Sequence, residues 1–320
     1  MTDARPTVLV VGEALVDVVP DPDGRVRDRP GGSPANVAIA LGRLGRDVRL
    51  VTLLGDDARG TLVRSWLQAS GVTVLAGAPG SGRTSSAAVS LDASGAATYD
   101  FDLAWDLADV PVEHCDVLHV GSIATVLEPG AAAVLAAVRR HRGQALVSFD
   151  PNARPAITPD RSGPLARVEE LVGLADVVKV SDEDLAWLHP GDDPVATATR
   201  WAASGPGLVV VTRGGDGAVA VRPDGTRLEV PGVPVSVADT VGAGDTFSGV
   251  LLDSLVGLGV HGPGSTRALR ALSDRDVLEA VTTAAIGAAI NVSRPGADPP
   301  SRDELTTALG RDGRRGAGPE

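Results

Sequence analysis

The chain has 320 residues, 43% of them hydrophobic, which suits one large α/β domain, or one domain with a small appendage, around a sizeable core. Its 29 basic and 41 acidic residues give a net charge of -12, and no apolar run has membrane-spanning length, so we expect neither nucleic-acid nor membrane partners. With one cysteine no intrachain disulfide can form, and the first residues lack the apolar region of a signal peptide, so we expect a cytoplasmic protein.

Strand and helix patterns alternate along the chain, which predicts a mostly parallel sheet with helices on both faces. Short apolar runs predict strands at Val8–Val11, Val48–Leu53, Val117–Val120, Ala145–Phe149, Val177–Val180 and Leu208–Val211. Helices are predicted between them, among others at Ala35–Leu44, Ala58–Ser70 and Ala131–Arg142. Ser33 is the predicted N-cap of the first of these helices, with Pro34 in its first turn.

Two segments interrupt this alternation. Asp17–Arg29 is polar and rich in turn residues, and Thr84–Leu103 contains two runs of alternating apolar and polar residues. Both are typical of hairpins or edge strands, so we expect a small separate sheet formed by residues of about 13–30 and 84–103, here called the lid. Because short hairpins are marginally stable alone, the lid is expected to pack on the body or on a second subunit.

The last third of the chain has fewer strands. A hairpin is predicted from Gly217–Val221 and Arg227–Val230 around a Pro-Asp-Gly turn, followed by a β-like stretch at Pro234–Val237. Two further helices are predicted from Gly244 to Leu258 and at Asp274–Ile290. We expect residues 1–309 to form one domain and the Gly- and Arg-rich residues 310–320 to form a disordered tail.

The strongest chemical motif is DTVGAGDTFSG at residues 239–249. Its small residues allow a tight turn that points several backbone amides one way, and the helix that follows adds the positive end of its dipole. Together these features predict an anion hole. Asp245 at the mouth of such a hole is well placed to accept a proton from a hydroxyl that attacks a phosphoryl group.

Other phosphate and catalytic motifs are not matched. The single lysine, Lys179, is followed by Val180, so the chain has no Walker A loop. Phe247 occupies the place of the third glycine of a dinucleotide-binding fingerprint, which disfavours a dehydrogenase. Residues 31–35 lack the last glycine of a nucleophile elbow, and the five histidines do not have zinc-site spacing.

A second motif, GGSPANVAIALGRLG, lies at residues 31–45. Gly31 and Gly32 permit close approach of a ligand to the backbone. Asn36 lies in the first helical turn, where its amide can both donate and accept hydrogen bonds to a polyol, or can act only as a local cap.

These two motifs resemble the paired signatures of the ribokinase-like sugar kinases of the phosphofructokinase B type. Smaller matches lie at residues 12–17 (GEALVD), 150–155 (DPNARP), 179–184 (KVSDED), 211–217 (VTRGGDG) and 291–300 (NVSRPGADPP). The resemblance covers nearly the whole chain except the tail and is greatest for the bacterial fructokinase branch. It implies a three-layer α/β/α fold with a mostly parallel sheet and a small β-sheet lid.

The resemblance also implies roles for individual residues. Asp245 would deprotonate the sugar hydroxyl, and the amides of Gly242, Ala243 and Gly244 would stabilise the transferred phosphoryl group. Asp17, Gly31, Gly32 and Asn36 match sugar-binding positions. Residues matching nucleotide and Mg²⁺-water positions are Ser181, Asp184, Thr212, Gly214 and Gly217; the family often has Glu where Asp184 stands. Carbonyl groups matching a monovalent-cation site, expected to take K⁺, belong to Asp239, Val241, Asn291, Arg294 and Gly296.

Some assignments stay open. Arg154 either contacts the substrate or braces its loop through Asp150. Lys179 either reaches a nucleotide phosphate or packs its stem along the strand end. Trp105, Tyr99 and Phe101 are interpreted as hydrophobic lid or interface residues rather than stacking partners. Because lid strands invite pairing, we expect a homodimer through the lid and an open–closed cycle that excludes water.

The favoured function is an ATP- and Mg²⁺-dependent fructokinase that phosphorylates a primary hydroxyl of D-fructose. The main alternative is a 2-keto-3-deoxygluconate kinase, for which Arg154 would bind the substrate carboxylate. A non-catalytic sugar-binding regulator is disfavoured by the intact motif around Asp245. A nucleoside kinase is disfavoured because aromatic residues make up only 2% of the chain.

Overall fold

The computed structural model describes residues 5–20, 26–91, 97–110 and 114–315. Its strands are β1 (Thr7–Val11), β2 (Leu15–Pro20), β3 (Val26–Gly31), β4 (Asp47–Leu53), β5 (Val72–Gly77), β6 (Ser86–Leu91), β7 (Ala97–Asp102), β8 (Val117–Gly121), β9 (Leu146–Asp150), β10 (Val177–Ser181), β11 (Leu208–Thr212), β12 (Ala218–Val221) and β13 (Arg227–Val230).

The helices are α1 (Ser33–Arg43), α2 (Ala58–Ala69), α3 (Gly130–His141), α4 (Ser162–Leu174), α5 (Asp182–Leu188), α6 (Pro194–Ser204), α7 (Ala243–Gly257), α8 (Ser265–Ala271), α9 (Asp274–Val292) and α10 (Arg302–Arg315). Short 3-10 turns follow β8 at Ser122–Thr125 and β11 at Gly214–Asp216. No helix within the described residues is long and apolar enough to cross a membrane.

Nine strands form the main sheet in the order β13-β12-β11-β10-β9-β8-β1-β4-β5. The seven strands from β11 to β5 in this order are parallel, and β12 and β13 add an antiparallel hairpin at one edge. Alternate residues of β1 enter opposite cores: Val8 and Val10 face α1, α7 and α9, whereas Leu9 and Val11 face α3 to α6. The predicted three-layer α/β/α fold is therefore confirmed.

The second sheet is separate and has the order β3-β2-β6-β7. Strands β2 and β6 pair in parallel, and each carries an antiparallel outer strand. The predicted small sheet beside the main domain is thus confirmed, whereas its opening and closing as a lid stays a prediction. Its sequence segments directly follow β1 and directly precede α1, so the sheet is attached at the carboxyl end of the main parallel strands.

Three local predictions were wrong. Gly32, not Ser33, is the N-cap of α1; it has a φ of 106°, and no side chain caps the helix. Residues Pro234–Val237 form no strand, because this connection between β13 and α7 has no strand partner among the described residues. Helix α10 continues to Arg315, so residues 310–315 are helical rather than a disordered tail, and residues 316–320 lie outside the described residues.

Candidate active site

A cleft of about 910 Å³ lies at the carboxyl edge of the main sheet, where α/β proteins commonly bind ligands. The small sheet contributes Asp17, Ala87 and Phe101 to its wall, and the starts of α1 and α7 form its floor. The predicted site residues that line it are Asp17, Gly32, Asn36, Arg154, Thr212, Gly214, Gly217, Val241, Gly242, Ala243, Gly244 and Asp245. The cleft lining does not include the others, which are Gly31, Lys179, Ser181, Asp184, Asp239, Asn291, Arg294 and Gly296.

Asp245 occupies the first turn of α7 and is only 6% exposed. Ser33 Oγ donates a hydrogen bond to its Oδ1 at 2.6 Å, and Asn36 Nδ2 donates to its Oδ2 at 2.7 Å. Asn152 Nδ2 also approaches Oδ1, at 3.4 Å. Burial raises the pKa of Asp245, while the hydrogen bonds from Ser33 and Asn36 lower it. The three donors therefore stabilise a carboxylate charge that burial alone would disfavour.

Gly242 is the N-cap of α7 and has a left-handed φ of 74°, which a residue with a side chain rarely adopts. A Cβ at this position would also lie 2.6 Å from the side chain of Ala297. The Ala243 amide donates to the Thr240 carbonyl at 3.2 Å, whereas the amides of Gly242 and Gly244 have no acceptor among the described residues. Two of the three predicted anion-hole amides are therefore available to a ligand, and the third is engaged in the turn.

Lys179 lies below this turn. Its side chain is 6% exposed, and its Nζ pairs with Asp150 Oδ2 at 2.8 Å. A Cβ on Gly244 would be only 2.9 Å from Lys179 Nζ, so the ammonium group is packed directly against the anion-hole backbone. Arg154 does not brace its loop through Asp150; its Nη1 donates instead to Asn152 Oδ1 at 2.6 Å and to the Ala153 carbonyl at 3.0 Å.

Two acidic residues, Glu13 and Asp17, line the cleft near Arg154. Glu13 is buried, accepts a hydrogen bond from the Ala124 amide at 3.2 Å, and has its pKa raised by burial to about 7. Burial also raises the pKa of Asp17, and the positive charge of Arg154 opposes this effect. A Cβ on Gly31 would lie 2.4 Å from Asp17 Oδ2, so the glycine leaves room for the carboxylate rather than for a ligand.

The opposite end of the cleft has an apolar wall and a glycine loop. The apolar residues are Val233, Val235, Val237, Ala285, Ala288, Ala289 and Val292. Gly217, with a φ of 95°, lies where a Cβ would be 2.1 Å from the Val230 carbonyl, so only glycine fits this close turn. Ser181 caps α5 by accepting from the Asp184 amide at 3.0 Å, and Asp184 Oδ1 accepts from the Ala153 amide at 2.9 Å.

The residues of the predicted cation site lie on the loop before α7, in the last turn of α9 and on the loop that follows α9. Asp239 accepts from the Val241 amide at 3.0 Å and from the Gly296 amide at 2.8 Å, and these bonds hold its pKa below the usual range. Asn291 Nδ2 donates to the Val241 carbonyl at 2.8 Å, while Asn291 Oδ1 is buried with no partner among the described residues. Within those residues no group of three or more His, Cys, Asp or Glu side chains could hold a metal.

Several groups were missed at the sequence level. Ser33, Asn152 and Glu13 were not assigned to the site, although all three line the cleft. Ser122 and Asn152 are the two described non-glycine residues with positive φ, 55° and 37°, and both lie at the cleft. Backbone strain concentrated at a ligand cleft is a common mark of function. Tyr99 lies in β7, and its side chain is outside the described residues; Trp105 belongs to the main core.

This three-layer fold, with an aspartate at the amino end of a helix and a second small sheet over the cleft, defines the class of ribokinase-like sugar kinases. Residues 5–304 match the pfkB family carbohydrate kinases. A fructokinase of Rhizobium leguminosarum bv. trifolii is 36% identical over 264 residues, which cover 78% of this chain and 79% of that protein.

Solved structures show the same relationship. Fructokinase from Xylella fastidiosa with bound ATP superimposes with a TM-score of 0.85 at 28% identity, covering 97% of this chain and all of the other. A double mutant of fructokinase from Vibrio cholerae O395, bound to fructose, ADP and potassium, gives a TM-score of 0.77 at 28% identity, with 97% and 99% covered. The chain belongs to the pfkB family of carbohydrate kinases and is an ATP-dependent sugar kinase.

Proposed function

We propose that this kinase transfers the γ-phosphate of ATP to a primary hydroxyl of D-fructose, with Asp245 as the general base. The observation that carries the proposal is the buried Asp245 carboxylate, which receives hydrogen bonds from Ser33 and Asn36 beside the open amides of Gly242 and Gly244. A carboxylate held in this way can accept the proton of an attacking hydroxyl while the amides stabilise charge on the transferred phosphoryl group.

Asp245→Asn tests this role. The amide keeps the size of the side chain but cannot accept the proton, so kcat should fall by about 10²–10⁴-fold. Sugar affinity, measured by titration calorimetry without nucleotide, should change little. A variant that keeps about a tenth of the wild-type kcat would exclude Asp245 as the base.

The proposal of a neutral ketohexose rests on charge as well as on resemblance. Glu13 and Asp17 line the sugar end, where they favour hydroxyl groups and disfavour a substrate carboxylate. Arg154 supplies a positive charge nearby, but its Nη1 is held by Asn152 and Ala153. This arrangement favours a loop brace over a binding site for an acid sugar.

A comparison of kcat/KM for fructose, ribose, tagatose and 2-keto-3-deoxygluconate under identical conditions tests the substrate. We expect fructose to be preferred, with little effect of Arg154→Ala on that preference. A preference for the acid sugar that Arg154→Ala abolishes would instead assign the arginine to substrate binding and replace fructose as the substrate.

The apolar wall formed by Val233, Val235 and Val237 is proposed to cover the adenine of ATP, with Thr212, Gly214 and Gly217 along its phosphates. Mg²⁺ would enter bound to those phosphates, as is usual for this ion. Ser181 and Asp184 lie behind the cleft wall, so they would act on the ion only through water.

K⁺ is proposed to bind the carbonyl groups of Asp239, Val241, Asn291, Arg294 and Gly296. Asn291 Oδ1 has no partner in the part of the chain that the structure describes, and it adds an oxygen beside Gly242, 3.7 Å from the place of a Cβ on that glycine. A bound cation there would strengthen the positive field at the anion hole. We expect higher rates in KCl than in tetramethylammonium chloride at equal ionic strength, and equal rates would contradict the site.

A homodimer through the small sheet is also proposed. Strands β3 and β7 are its outer strands, and Val26 on β3 is 65% exposed. Open edges of this kind favour strand pairing between subunits. Sedimentation velocity should give a dimer for the native chain and a monomer for Val26→Asp; a native monomer would contradict the proposal.

A further inference from the structure

Lys179 is the single lysine of the chain, and it is buried where a phosphate-binding lysine would have to be exposed. Its Nζ does not line the cleft; it pairs with Asp150 Oδ2 and packs against the backbone of Gly244. The geometry therefore separates this ammonium group from the ligand by the first turn of α7.

The other half of the ion pair contacts the same helix one turn later. Ser248 Oγ donates to Asp150 Oδ2 at 3.3 Å. Gly244 and Ser248 are four residues apart, so they lie on one face of α7. That face of α7 packs against the ion pair: Gly244 contacts Lys179, and Ser248 hydrogen-bonds Asp150.

The charges around the pair are unevenly balanced. Burial lowers the pKa of Lys179, but Asp150, together with Asp184 and Asp245, more than offsets this effect and raises it. His119 on β8 also faces the pair, and burial lowers its pKa to about 4, so it adds no charge near neutral pH. Lys179 is thus the cation that balances the buried carboxylates below the anion hole.

We propose that the Lys179–Asp150 ion pair is a platform for the first turn of α7, and that Lys179 is a positioning residue for the Gly242–Gly244 amides and Asp245 rather than a phosphate ligand. The inference rests on the proposed role of Asp245. Without the ammonium group, the Asp150 carboxylate would be buried and unpaired, and its negative charge would oppose the charge that develops on the transferred phosphoryl group.

The test compares Lys179→Met, Asp150→Asn and the double variant Asp150→Asn/Lys179→Met. Lys179→Met should lower kcat by about 100-fold, the scale of losing one stabilising donor, with KM for ATP nearly unchanged. The double variant, which removes both charges, should recover most of that loss. Recovery of this kind is non-additive and reports direct coupling of the two residues.

A control variant removes a part-buried ion-pair partner of Asp253 on the same helix, and Asp253 keeps its second partner, Arg302. Arg46 Nε contacts Asp253 Oδ1 at 2.6 Å, far along α7 from Asp245. Arg46→Met should lower the melting temperature but leave kcat and both KM values unchanged. A loss of kcat in Lys179→Met that exceeds this control cannot be attributed to stability alone.

The outcomes are distinct. If KM for ATP rises more than tenfold in both the single and the double variant, Lys179 is a phosphate ligand and the inference is wrong. If Lys179→Met does not fold, the double variant is measured alone. A nearly unchanged KM for ATP then supports the positioning role, and a rise of more than tenfold indicates a phosphate ligand. If Asp245→Asn retains its activity, Asp245 is not the general base. Recovery of kcat in the double variant would still show that Lys179 and Asp150 are coupled.

Discussion

Glu13 is a buried carboxyl group in the cleft that takes no part in the proposed proton transfer. Its side chain joins the loop after β1 to the 3-10 turn Ser122–Thr125 through the Ala124 amide, and it also hydrogen-bonds Ser122. Ser122 itself has the strained φ of 55°. The buried glutamate therefore holds a strained turn in place at the cleft wall.

Burial raises the pKa of Glu13 from 4.5 to about 7 in the folded chain. The folded state then binds more protons than the unfolded state between these two values, so the contribution of Glu13 to stability is complete below about pH 4.5 and is lost as the pH rises through about 7. Glu13→Gln keeps an acceptor for the Ala124 amide without a charge. We expect it to exceed the wild type in stability by roughly 1–3 kcal/mol at pH 8.

Denaturant unfolding of the ligand-free protein at pH 5, 6, 7 and 8 measures this difference. Glu279 is an exposed residue of α9, and Glu279→Gln is the control. Its free energy of unfolding should change with pH in the same way as that of the wild type. A Glu13→Gln variant that is less stable than the wild type at pH 8, or equally displaced at every pH, would contradict the prediction.

The sequence predicted some site residues and missed others for a physical reason. Asp245 was found because its neighbours are small residues in a local motif. Ser33 and Asn152 contact Asp245 from distant parts of the chain, and such contacts leave no local pattern. Ser33 was read as a helix cap because serine is common there, but its hydroxyl is used by the aspartate instead.

At the scale of elements, the relative position of α1 and α7 sets the distance between Asn36 and Asp245. Each of these residues is followed, one turn later on the same helix face, by a small residue, Ala40 on α1 and Gly249 on α7. A Cβ on Gly249 would lie 2.6 Å from Ala40 Cβ, too close for any real contact. The glycine therefore permits the close helix approach that the hydrogen bond from Asn36 requires.

Gly249→Ala should force α1 and α7 apart. We expect a loss of about 1–3 kcal/mol in stability, typical of overpacking, and a fall of about tenfold in kcat as Asn36 withdraws from Asp245. Gly257→Ala on the same helix is the control, because the nearest atom to its Cβ would be Arg46 Nη2 at 3.9 Å. This second change should be neutral or stabilising, as expected for alanine replacing glycine in a helix.

Thermal unfolding and steady-state kinetics of both variants measure these effects. Equal stability of the two variants would mean that the α1–α7 contact is not close in solution. A destabilised Gly249→Ala with unchanged kcat would separate the packing of the helices from the placement of Asp245.

Most elements were predicted because each has its own local pattern, as in the parallel strands and α9. Pro234–Val237 was misread as β-like because alternating valines are common in strands, although this segment has no neighbouring strand to pair with. Helix α10 was missed because Gly310, Gly313 and three arginines weaken its pattern beyond Leu309. Its docking depends on tertiary contacts, including buried Leu305 and the pairing of Arg302 with Asp253.

At the scale of the whole molecule, the cleft joins two sheets of very different burial. The central parallel strands are fully buried, whereas four of the six residues of β3 are exposed. The small sheet contributes only a few side chains to the cleft, among them Asp17 from β2 and Phe101 from β7. We therefore expect the stability of the small sheet to depend more on a bound ligand than that of the central strands.

We predict that fructose, added with a non-hydrolysable ATP analogue, lowers amide hydrogen exchange in β2, β3, β6 and β7 by at least about tenfold, the scale of 1.4 kcal/mol of added local stability. The reason is that a sugar bound as proposed would bridge Asp17 on the small sheet to Asn36 on the body. Exchange in the central strands β8 to β11 should not change, since they are already buried. Asp17→Ala should abolish the protection that fructose confers but keep that of the nucleotide at Gly214–Gly217. Equal exchange of the small sheet with and without fructose would show that it is a fixed wall.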